Sequence, residues 1–185
     1  MSVQLYTRMG DDGYTNLLGE GRVAKHTPQP EAYGTVDEAS AAMGVARAMA
    51  ASDLTRSALL TAQRDLYRLM SELAASPQVA ERFRAIDASR VRWLEEQIEA
   101  VTAQVSLPRE FIVPGDTAPG AYLDLARAIV RRAERLVVHL LHDGLVENVE
   151  LGRYLNRLSS LLFALELHEN ALAGAPAPTL AKQRD

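Results

Sequence analysis

The chain has 185 residues, the usual length of one domain, and it is 48% hydrophobic and 24% charged, so it can bury a core. It has no cysteine, which excludes disulfides, zinc–thiolate sites, iron–sulfur clusters and a cysteine nucleophile. The formal net charge of −4 argues against a general nucleic-acid binder, whose domain is usually basic, but it leaves room for a local cluster of cations that binds a small anion.

The chain shows no targeting or membrane segment by composition. Residues 1–8 lack the apolar stretch of a signal peptide, and no run of residues reaches the roughly 18 apolar residues of a membrane span. We therefore predict a cytoplasmic protein with neither nucleic acid nor a membrane as a partner.

Five segments with apolar residues spaced three and four apart follow an N-terminal segment without that pattern. We predict one all-α domain with an N-terminal segment at 1–30, an antiparallel bundle of five helices at 31–173 and a flexible tail at 174–185. Asp53 and Asp87 are predicted to cap the second and third helices. The predicted helices cover residues 31–51, 54–76, 87–105, 117–142 and 147–173.

The N-terminal loop (residues 7–15) has glycines three residues apart, flanked by Thr7 and Thr15. Glycines let the backbone turn so that several N–H groups point at one anion, and threonine hydroxyls add donors. Arg22 and Lys25 lie just downstream and supply positive charge. The pattern predicts a phosphate-binding loop, although it lacks the Gly-Lys-Ser/Thr of a P-loop. The alternative is two ordinary turns before the first helix.

The predicted fourth helix carries Arg127, Arg131 and Arg135 four residues apart, which places them on one face. Such a face is usually solvated and stabilised by ion pairs along the helix. Closely spaced arginines also repel one another unless an anion or a partner's carboxylate neutralises them, and the planar guanidinium suits phosphate. Both interpretations stay open. The predicted apolar arc opposite comprises Leu125, Ile129, Ala133, Leu136, Val137 and Leu140.

The predicted fifth helix has two distinct faces. Asn156, Ser160 and Leu167 project within about 40° of one another, away from the apolar stripe. A helix with two such faces indicates a subunit interface or a ligand pocket, whereas a lone asparagine is more often exposed to solvent. The predicted core stripe comprises Leu151, Tyr154, Leu155, Leu158, Leu161, Leu162 and Leu165.

Taken together, these segments resemble the ATP:cob(I)alamin adenosyltransferases of the propanediol-utilisation type. The resemblance spans about residues 5–172 and depends on ordered motifs at matching spacing rather than on any single one. It includes the loop pattern Thr7-x-x-Gly10-Asp11-x-Gly13-x-Thr15. The other motifs lie at residues 21–25 with 31–38, 111–115, 126–135 and 154–163.

The resemblance implies a homotrimer with active sites at the subunit interfaces. The N-terminal loop of one subunit would wrap ATP against the arginine helix of its neighbour, where Asp37 would pair with Arg127. Phe111 would push the lower axial ligand off cobalt. The implied catalytic residues are Asp37, Arg127 and Phe111. The implied substrate-binding residues are Thr7, Gly10, Asp11, Gly13, Thr15, Arg22, Lys25, Arg131, Glu134, Arg135 and Asn156, and no residue is assigned as a metal ligand.

The implied reaction is attack of cob(I)alamin on C5′ of ATP, with triphosphate as the leaving group. Orientation and stabilisation of the leaving charge are the protein's tasks, shared by loop amides, Lys25, Arg131 and a magnesium ion. A reductase would supply cob(I)alamin, and an adenosylcobalamin-dependent enzyme would receive the product. The alternatives are a non-catalytic paralogue that binds adenosylcobalamin or ATP as a carrier or sensor, and a purely structural trimer.

The sequence departs from the family pattern at several positions. Ser160 and Leu167 replace an aspartate and an arginine on the face of Asn156, which predicts either the exchange of an ion pair for a neutral pair or a site that no longer turns over. The other departures are Met9 and Tyr14 in place of threonines, Ser40 in place of asparagine, Asp116 in place of glycine and Asp124 in place of histidine.

Overall fold

The computed structural model describes residues 6–175 and 177–182. Five long helices dominate it, as predicted, and a two-stranded sheet and one short helix are added to them. Among the described residues, no helix is long and apolar enough to cross a membrane. The elements are β1 Tyr14–Asn16, β2 Arg22–Ala24, α1 Pro28–Met49, α2 Asp53–Leu73, α3 Ala80–Phe83, α4 Ala88–Thr102, α5 Ala118–His142 and α6 Glu150–Leu172.

The N-terminal segment forms a small hairpin that the prediction of an all-α fold missed. β1 and β2 pair antiparallel, with Thr15 opposite Val23. The turn of the hairpin is bonded to the end of α2, because the Leu18 amide donates to the Ala74 carbonyl at 2.9 Å and the Ser76 amide donates to the Leu18 carbonyl at 2.8 Å. The N-terminal loop is therefore tied to the helical bundle through its hairpin.

Capping side chains set the helix starts. The Ser52 hydroxyl, not the predicted Asp53 carboxylate, accepts from the amides of residues 54 and 55, so Asp53 is the first residue of α2. The predicted cap Asp87 is confirmed, since its carboxylate accepts from the Ser89 and Arg90 amides at 2.9 and 3.1 Å. α1 begins at Pro28, three residues earlier than predicted, because proline's fixed φ suits the first helical turn.

The core lies where α5 and α6 pack on each other and on the remaining helices. The predicted stripe on α6 is confirmed, because all seven of its residues are fully buried. The predicted apolar arc on α5 is partly wrong, since Leu125 is 52% exposed. The side of α5 that faces the core is rotated toward the arginines, and its buried residues are Leu123, Ala126, Val130, Ala133, Val137 and Leu140.

A contact between α5 and α6 fixes the start of α5. The Asn170 Oδ1 accepts from the Thr117 hydroxyl at 2.6 Å, and that hydroxyl accepts from the Gly120 amide at 3.1 Å. A Cβ at Gly120 would lie 2.1 Å from Asn170 Oδ1, so only glycine allows this approach. Because the start of α5 is held, the arginines further along the helix have a defined position.

Residues 179–181, which lie within the predicted flexible tail, form a short extended segment that we call the tail strand. This strand is hydrogen-bonded to the Phe111 loop (residues 107–116), and Leu180 forms an antiparallel bridge with Ile112. Parts of the predicted termini, residues 1–5, 176 and 183–185, lie outside the described residues.

Candidate functional site

The N-terminal loop is built from two consecutive turns. The Asp11 amide donates to the Arg8 carbonyl and the Gly13 amide donates to the Gly10 carbonyl, both at 3.2 Å. Gly13 has a φ of 82°, and Arg8 has a φ of 61°, which is unusual for a residue with a side chain. Two of the amides expected to face an anion are therefore used within the turns.

Lys25 reaches back over the loop. Its Nζ donates to the Gly10 carbonyl at 2.7 Å, and a Cβ at Gly10 would lie 2.8 Å from that nitrogen. The glycine therefore gives the lysine room to approach the backbone. Lys25, expected to supply positive charge to a phosphate, thus bonds through its ammonium group to the loop itself.

Arg22 makes three hydrogen bonds to the loop. Its two terminal nitrogens bind the two carboxylate oxygens of Asp12 at 2.9 and 3.0 Å, and Nη2 also donates to the Met9 carbonyl at 2.8 Å. The hydrogen bond from Arg22 holds the pKa of Asp12 below its usual range, with help from the Tyr14 amide. Sequence reasoning singled out Asp11 and missed Asp12, whose role depends on the hairpin that brings Arg22 to it.

The other predicted loop residues contribute less. The Thr7 Oγ1 accepts weakly from the Met9 amide at 3.4 Å. Thr15 is half-buried within β1, and Asp11 is exposed. The loop is therefore an exposed turn shaped by two cations.

The arginine face (Arg127, Arg131 and Arg135 of α5) has one paired and two unpaired members. Arg127 donates through Nε to the Asp124 Oδ1 at 2.7 Å, and its Nη2 lies at the same distance from that oxygen. Within the described part of the chain, the guanidinium groups of Arg131 and Arg135 have no hydrogen-bond or ion-pair partner. The neighbouring Arg132 pairs with Glu38 of α1.

A cavity of about 620 Å³ joins the arginine face to the Phe111 loop. Arg127, Arg131 and Asp124 form one wall, and the loop forms the opposite wall. The Phe111 side chain is 89% exposed, so its ring is available to a ligand. Three arginines line the cavity, Arg109 of the loop and the two of α5, together with apolar side chains such as Ile98 of α4 and Phe163 of α6. The remaining lining residues of α4 and α6 are Thr102, Ser159, Ser160 and Ala164.

A second, more open groove of about 500 Å³ lies between α5 and α6 and includes Asn156 and Glu134. The Asn156 Nδ2 donates to the Glu134 Oε1 at 2.8 Å, and its Oδ1 accepts from Arg157 Nη1 at 2.6 Å. Arg157 Nε in turn donates to the Glu95 Oε1 of α4 at 3.0 Å. Asn156 is thus held by side chains on both sides, in a groove whose other walls are mainly apolar.

Glu166 is a buried acid that sequence reasoning missed. It is 1% exposed, and neither carboxylate oxygen has a hydrogen-bond partner among the described residues. Burial, together with the nearby charges of Asp124 and Asp116, raises the pKa of Glu166 to about 7, although Arg127 acts in the opposite direction. A charged residue in the buried half of a helix was the signal available in the sequence.

The structure brings some predicted residues together and keeps others apart. Phe111, Arg127 and Arg131 share the first cavity, and Glu134 and Asn156 share the second groove. The N-terminal loop lines neither. Asp37 is exposed on α1 and has no ion-pair partner among the described residues, so it does not meet Arg127 within one chain. The described residues contain no group of three or more His, Asp or Glu side chains arranged to hold a metal ion.

Comparison with known proteins identifies the family. The family model described as "Cobalamin adenosyltransferase" matches residues 5–169. The chain belongs to this family. It is 39% identical over 168 residues to the corrinoid adenosyltransferase PduO of Salmonella typhimurium, covering 90% of this chain and 50% of that protein. The chain therefore spans about half the length of that relative and of its Citrobacter freundii counterpart.

Other family members match over most of their length. A corrinoid adenosyltransferase of Bacillus subtilis is 40% identical over 179 residues, which is 93% of this chain and 89% of that protein. A variant PduO-type ATP:corrinoid adenosyltransferase from Lactobacillus reuteri, solved in complex with cobalamin and ATP, superposes with a TM-score of 0.87 at 32% identity. That match covers 98% of this chain and 99% of the solved chain. The predicted family is confirmed.

Proposed function

We propose that this chain transfers the 5′-deoxyadenosyl group of ATP to the cobalt of cob(I)alamin and releases triphosphate. The cavity between the arginine face and the Phe111 loop is the observation that carries this proposal. It has apolar lining residues suited to the corrin and three guanidinium groups, two of them on α5, suited to an anionic leaving group. Membership of the family and the Lactobacillus reuteri relative solved with both substrates support it.

The reaction forms a cobalt–carbon bond as the C5′–O bond of ATP breaks, and the bonding electrons leave with triphosphate. No proton moves at the reacting carbon, so the protein's work is orientation and stabilisation of charge. Arg131 is exposed at the cavity wall and has no partner in the described chain, so it is available for a phosphate oxygen. We assign to Phe111, an exposed residue of the cavity lining, the exclusion of the lower ligand of the corrinoid. Loss of that ligand makes the cobalt easier to reduce.

We propose that Mg²⁺ is bound to ATP and reaches the site as part of the substrate. Mg²⁺ keeps several water ligands and usually takes the rest from substrate phosphates and one or two carboxylates. We also propose that a separate reductase supplies cob(I)alamin and that an adenosylcobalamin-dependent enzyme takes up the product. A cytoplasmic location stays a prediction of the sequence.

We further propose a homotrimer whose sites lie between subunits. Asp37, Arg131 and Arg135 are charged groups without a partner in the described chain, and the N-terminal loop lies apart from both cavities. A neighbouring subunit would bring these groups together, with Asp37 facing Arg127. Light scattering coupled to size exclusion tests the assembly, and a monomer at micromolar concentration would contradict a site shared between subunits.

The test of activity combines the protein with ATP, Mg²⁺ and chemically reduced cobalamin. Loss of the cob(I)alamin absorbance with stoichiometric triphosphate release supports the enzyme. Arg127→Ala and Asp37→Ala are expected to lose most turnover while keeping the helical circular dichroism. Arg92→Ala is the matched control, because Arg92 is exposed on α4 and lines neither cavity.

The pairing of Arg127 with Asp124 favours a second candidate, a carrier or sensor that binds ATP or adenosylcobalamin without turnover. In that case the cation proposed for catalysis is occupied within its own subunit. Tight nucleotide binding with no conversion of cob(I)alamin would select this candidate over the enzyme.

A further inference from the structure

The tail strand is bonded directly to the residues beside the exposed aromatic ring. The Ala181 amide donates to the Phe111 carbonyl at 2.8 Å, and the Val113 amide donates to the Thr179 carbonyl at 2.8 Å. The two bonds flank the bridge between the tail and the loop, so backbone on either side of this bridge is held. The tail therefore adds a short strand to a loop that otherwise has no regular structure.

Asp116 anchors this strand with its side chain. Its Oδ1 accepts from the Thr179 hydroxyl at 2.6 Å, and its Oδ2 accepts from the Thr179 amide at 3.0 Å. Hydrogen bonds to a carboxylate are the stronger kind. The side chain of Asp116 therefore bonds to both the amide and the hydroxyl of Thr179.

The other side of the tail lies against the end of α6. Ala175 and Pro178 close a small cavity of about 160 Å³ together with Leu167 and Asn170. Leu167 is 5% exposed here. A neutral side chain at this position suits a covered site, because a buried charge without a partner is costly.

The Phe111 loop needs such support because its ring has little packing within the chain. The Phe111 side chain is 89% exposed, while the loop supplies one wall of the large cavity. Each residue of a loop that is free to move loses conformational entropy when it becomes ordered. Backbone bonds made beforehand reduce that cost when a ligand binds.

We propose that Asp116 and Thr179 are positioning residues that act through the tail strand to hold Phe111 at the mouth of the cavity. The inference rests on the proposed function, in which Phe111 excludes the lower ligand of the corrinoid. Among the described residues, the hydrogen bonds of the tail strand go to the Phe111 loop, and none joins it to the N-terminal loop or to Arg131, the groups proposed to bind ATP. Loss of the anchor is therefore expected to weaken the corrinoid step and to spare ATP binding.

The first measurement follows hydrogen exchange of the Phe111 loop in the absence of substrates. Thr179→Val removes the hydroxyl and keeps the side-chain shape, and we expect exchange at the Val113 amide to quicken about threefold to tenfold. Thr179→Ser keeps the hydroxyl and is expected to restore protection. A chain that ends at residue 177 is expected to lose protection further, while one that ends at residue 182 keeps it.

The second measurement is binding of cob(II)alamin in the presence of ATP, followed by absorption. We expect Thr179→Val to raise the dissociation constant about threefold to tenfold and to lower the four-coordinate fraction, with the dissociation constant of ATP changed by less than about twofold. Asp116→Gly is also expected to raise the dissociation constant of cob(II)alamin. Asp116→Asn, which keeps an acceptor oxygen, is expected to raise it less.

The outcomes separate this inference from the proposed function. Unchanged loop exchange in Thr179→Val, or an equal weakening of ATP and corrinoid binding, would overturn the positioning role. Absence of turnover in the unaltered protein would instead contradict the proposed enzyme, and exchange and cob(II)alamin binding would still decide whether the tail strand positions Phe111.

Discussion

Two regions of the molecule carry cations suited to phosphate. The cations of the first region have hydrogen-bond partners within the chain, whereas the second region includes a cation that has none among the described residues. At the N-terminal loop, Arg22 of β2 binds Asp12 and the Met9 carbonyl, and the adjacent Lys25 binds the Gly10 carbonyl. On the arginine face, Arg131 has no partner within the described chain. The loop uses its cations to hold its own shape, whereas the helix presents a cation on a rigid element.

Whether a cation already has a partner determines how much binding energy it can contribute to a phosphate. A cation that already has an acceptor must exchange it, so it gains only the difference between two interactions. A cation on a helix, with no acceptor to leave, offers its full interaction to an anion that replaces water. We therefore expect helix substitutions to cost more activity than loop substitutions.

The largest expected effect is at Arg131. Arg131→Met is expected to lower kcat/KM for adenosyl transfer by roughly 10²- to 10³-fold, because a preorganised charge facing the leaving group is lost. The side chain is exposed, so we expect the variant to fold, and circular dichroism checks this. Arg131→Lys is expected to recover part of the rate, and Arg92→Met serves as the neutral control. A rate close to that of the unaltered protein would contradict the assignment of Arg131.

Glu166 of α6 is an acid rather than a cation, and it also lacks a hydrogen-bond partner among the described residues. It is buried close enough to Arg127 of the arginine face to sense its charge. Burial raises its pKa to about 7, above the value of an unfolded glutamate, so folding favours its protonated form. The stability of the unaltered protein is therefore expected to fall as pH rises from about 4.5 through 7. Glutamine does not ionise, so Glu166→Gln is expected to abolish this loss of stability with pH. At pH 8 we expect it to raise the free energy of unfolding by about 3 kcal/mol, because each unit of pKa difference corresponds to roughly 1.4 kcal/mol.

Urea unfolding at pH 5 and pH 8 measures this effect. At pH 5 the protonated glutamate resembles glutamine, so the two proteins are expected to unfold at similar urea concentrations. Glu96→Gln, an exposed change on α4, is the control for the loss of one surface charge. Equal differences between Glu166→Gln and the unaltered protein at both pH values would show that Glu166 does not titrate in this range.

The helices were predictable because their apolar spacing is strong and repeated. The α6 stripe and the Asp87 cap follow from residue type and position alone, and the structure confirms both. The error at Asp53 arose because Ser52 and Asp53 are both good caps, and tertiary contacts select one. The Glu169 carboxylate accepts from the amides of residues 51 and 52, which fixes the chain just before α2.

The site was only partly predictable, since its geometry depends on contacts between distant segments. Arg22 meets Asp12 because a short hairpin folds between them, and three-residue strands leave little signal in the sequence. The tail strand reaches Asp116 across 63 residues of chain, which no local pattern encodes. Spacing along one helix predicted the arginine face, but not which of its members would be paired.

Within the loop, the larger effect is expected at Lys25. Lys25→Met removes the bond to the Gly10 carbonyl and a cation proposed to bind phosphate. We expect the KM for ATP to rise roughly tenfold, about 1.4 kcal/mol, with kcat reduced less. Lys25→Arg keeps the charge and is the matched control. If KM for ATP does not change, the lysine serves only the shape of the loop.

The smallest effect is expected at Asp12, the carboxylate that holds Arg22. Asp12→Asn keeps an acceptor oxygen for the Tyr14 amide and for Arg22 but removes the charge that holds the guanidinium. If Arg22 must leave Asp12 to reach a phosphate, this variant lowers the KM for ATP, and by less than about fivefold because an exposed ion pair contributes at most ~1 kcal/mol. The gain should shrink as salt is raised, since salt already weakens the exposed pair. A higher KM in Asp12→Asn would instead mean that the pair is needed intact, and that the N-terminal loop binds ATP through its shape and backbone.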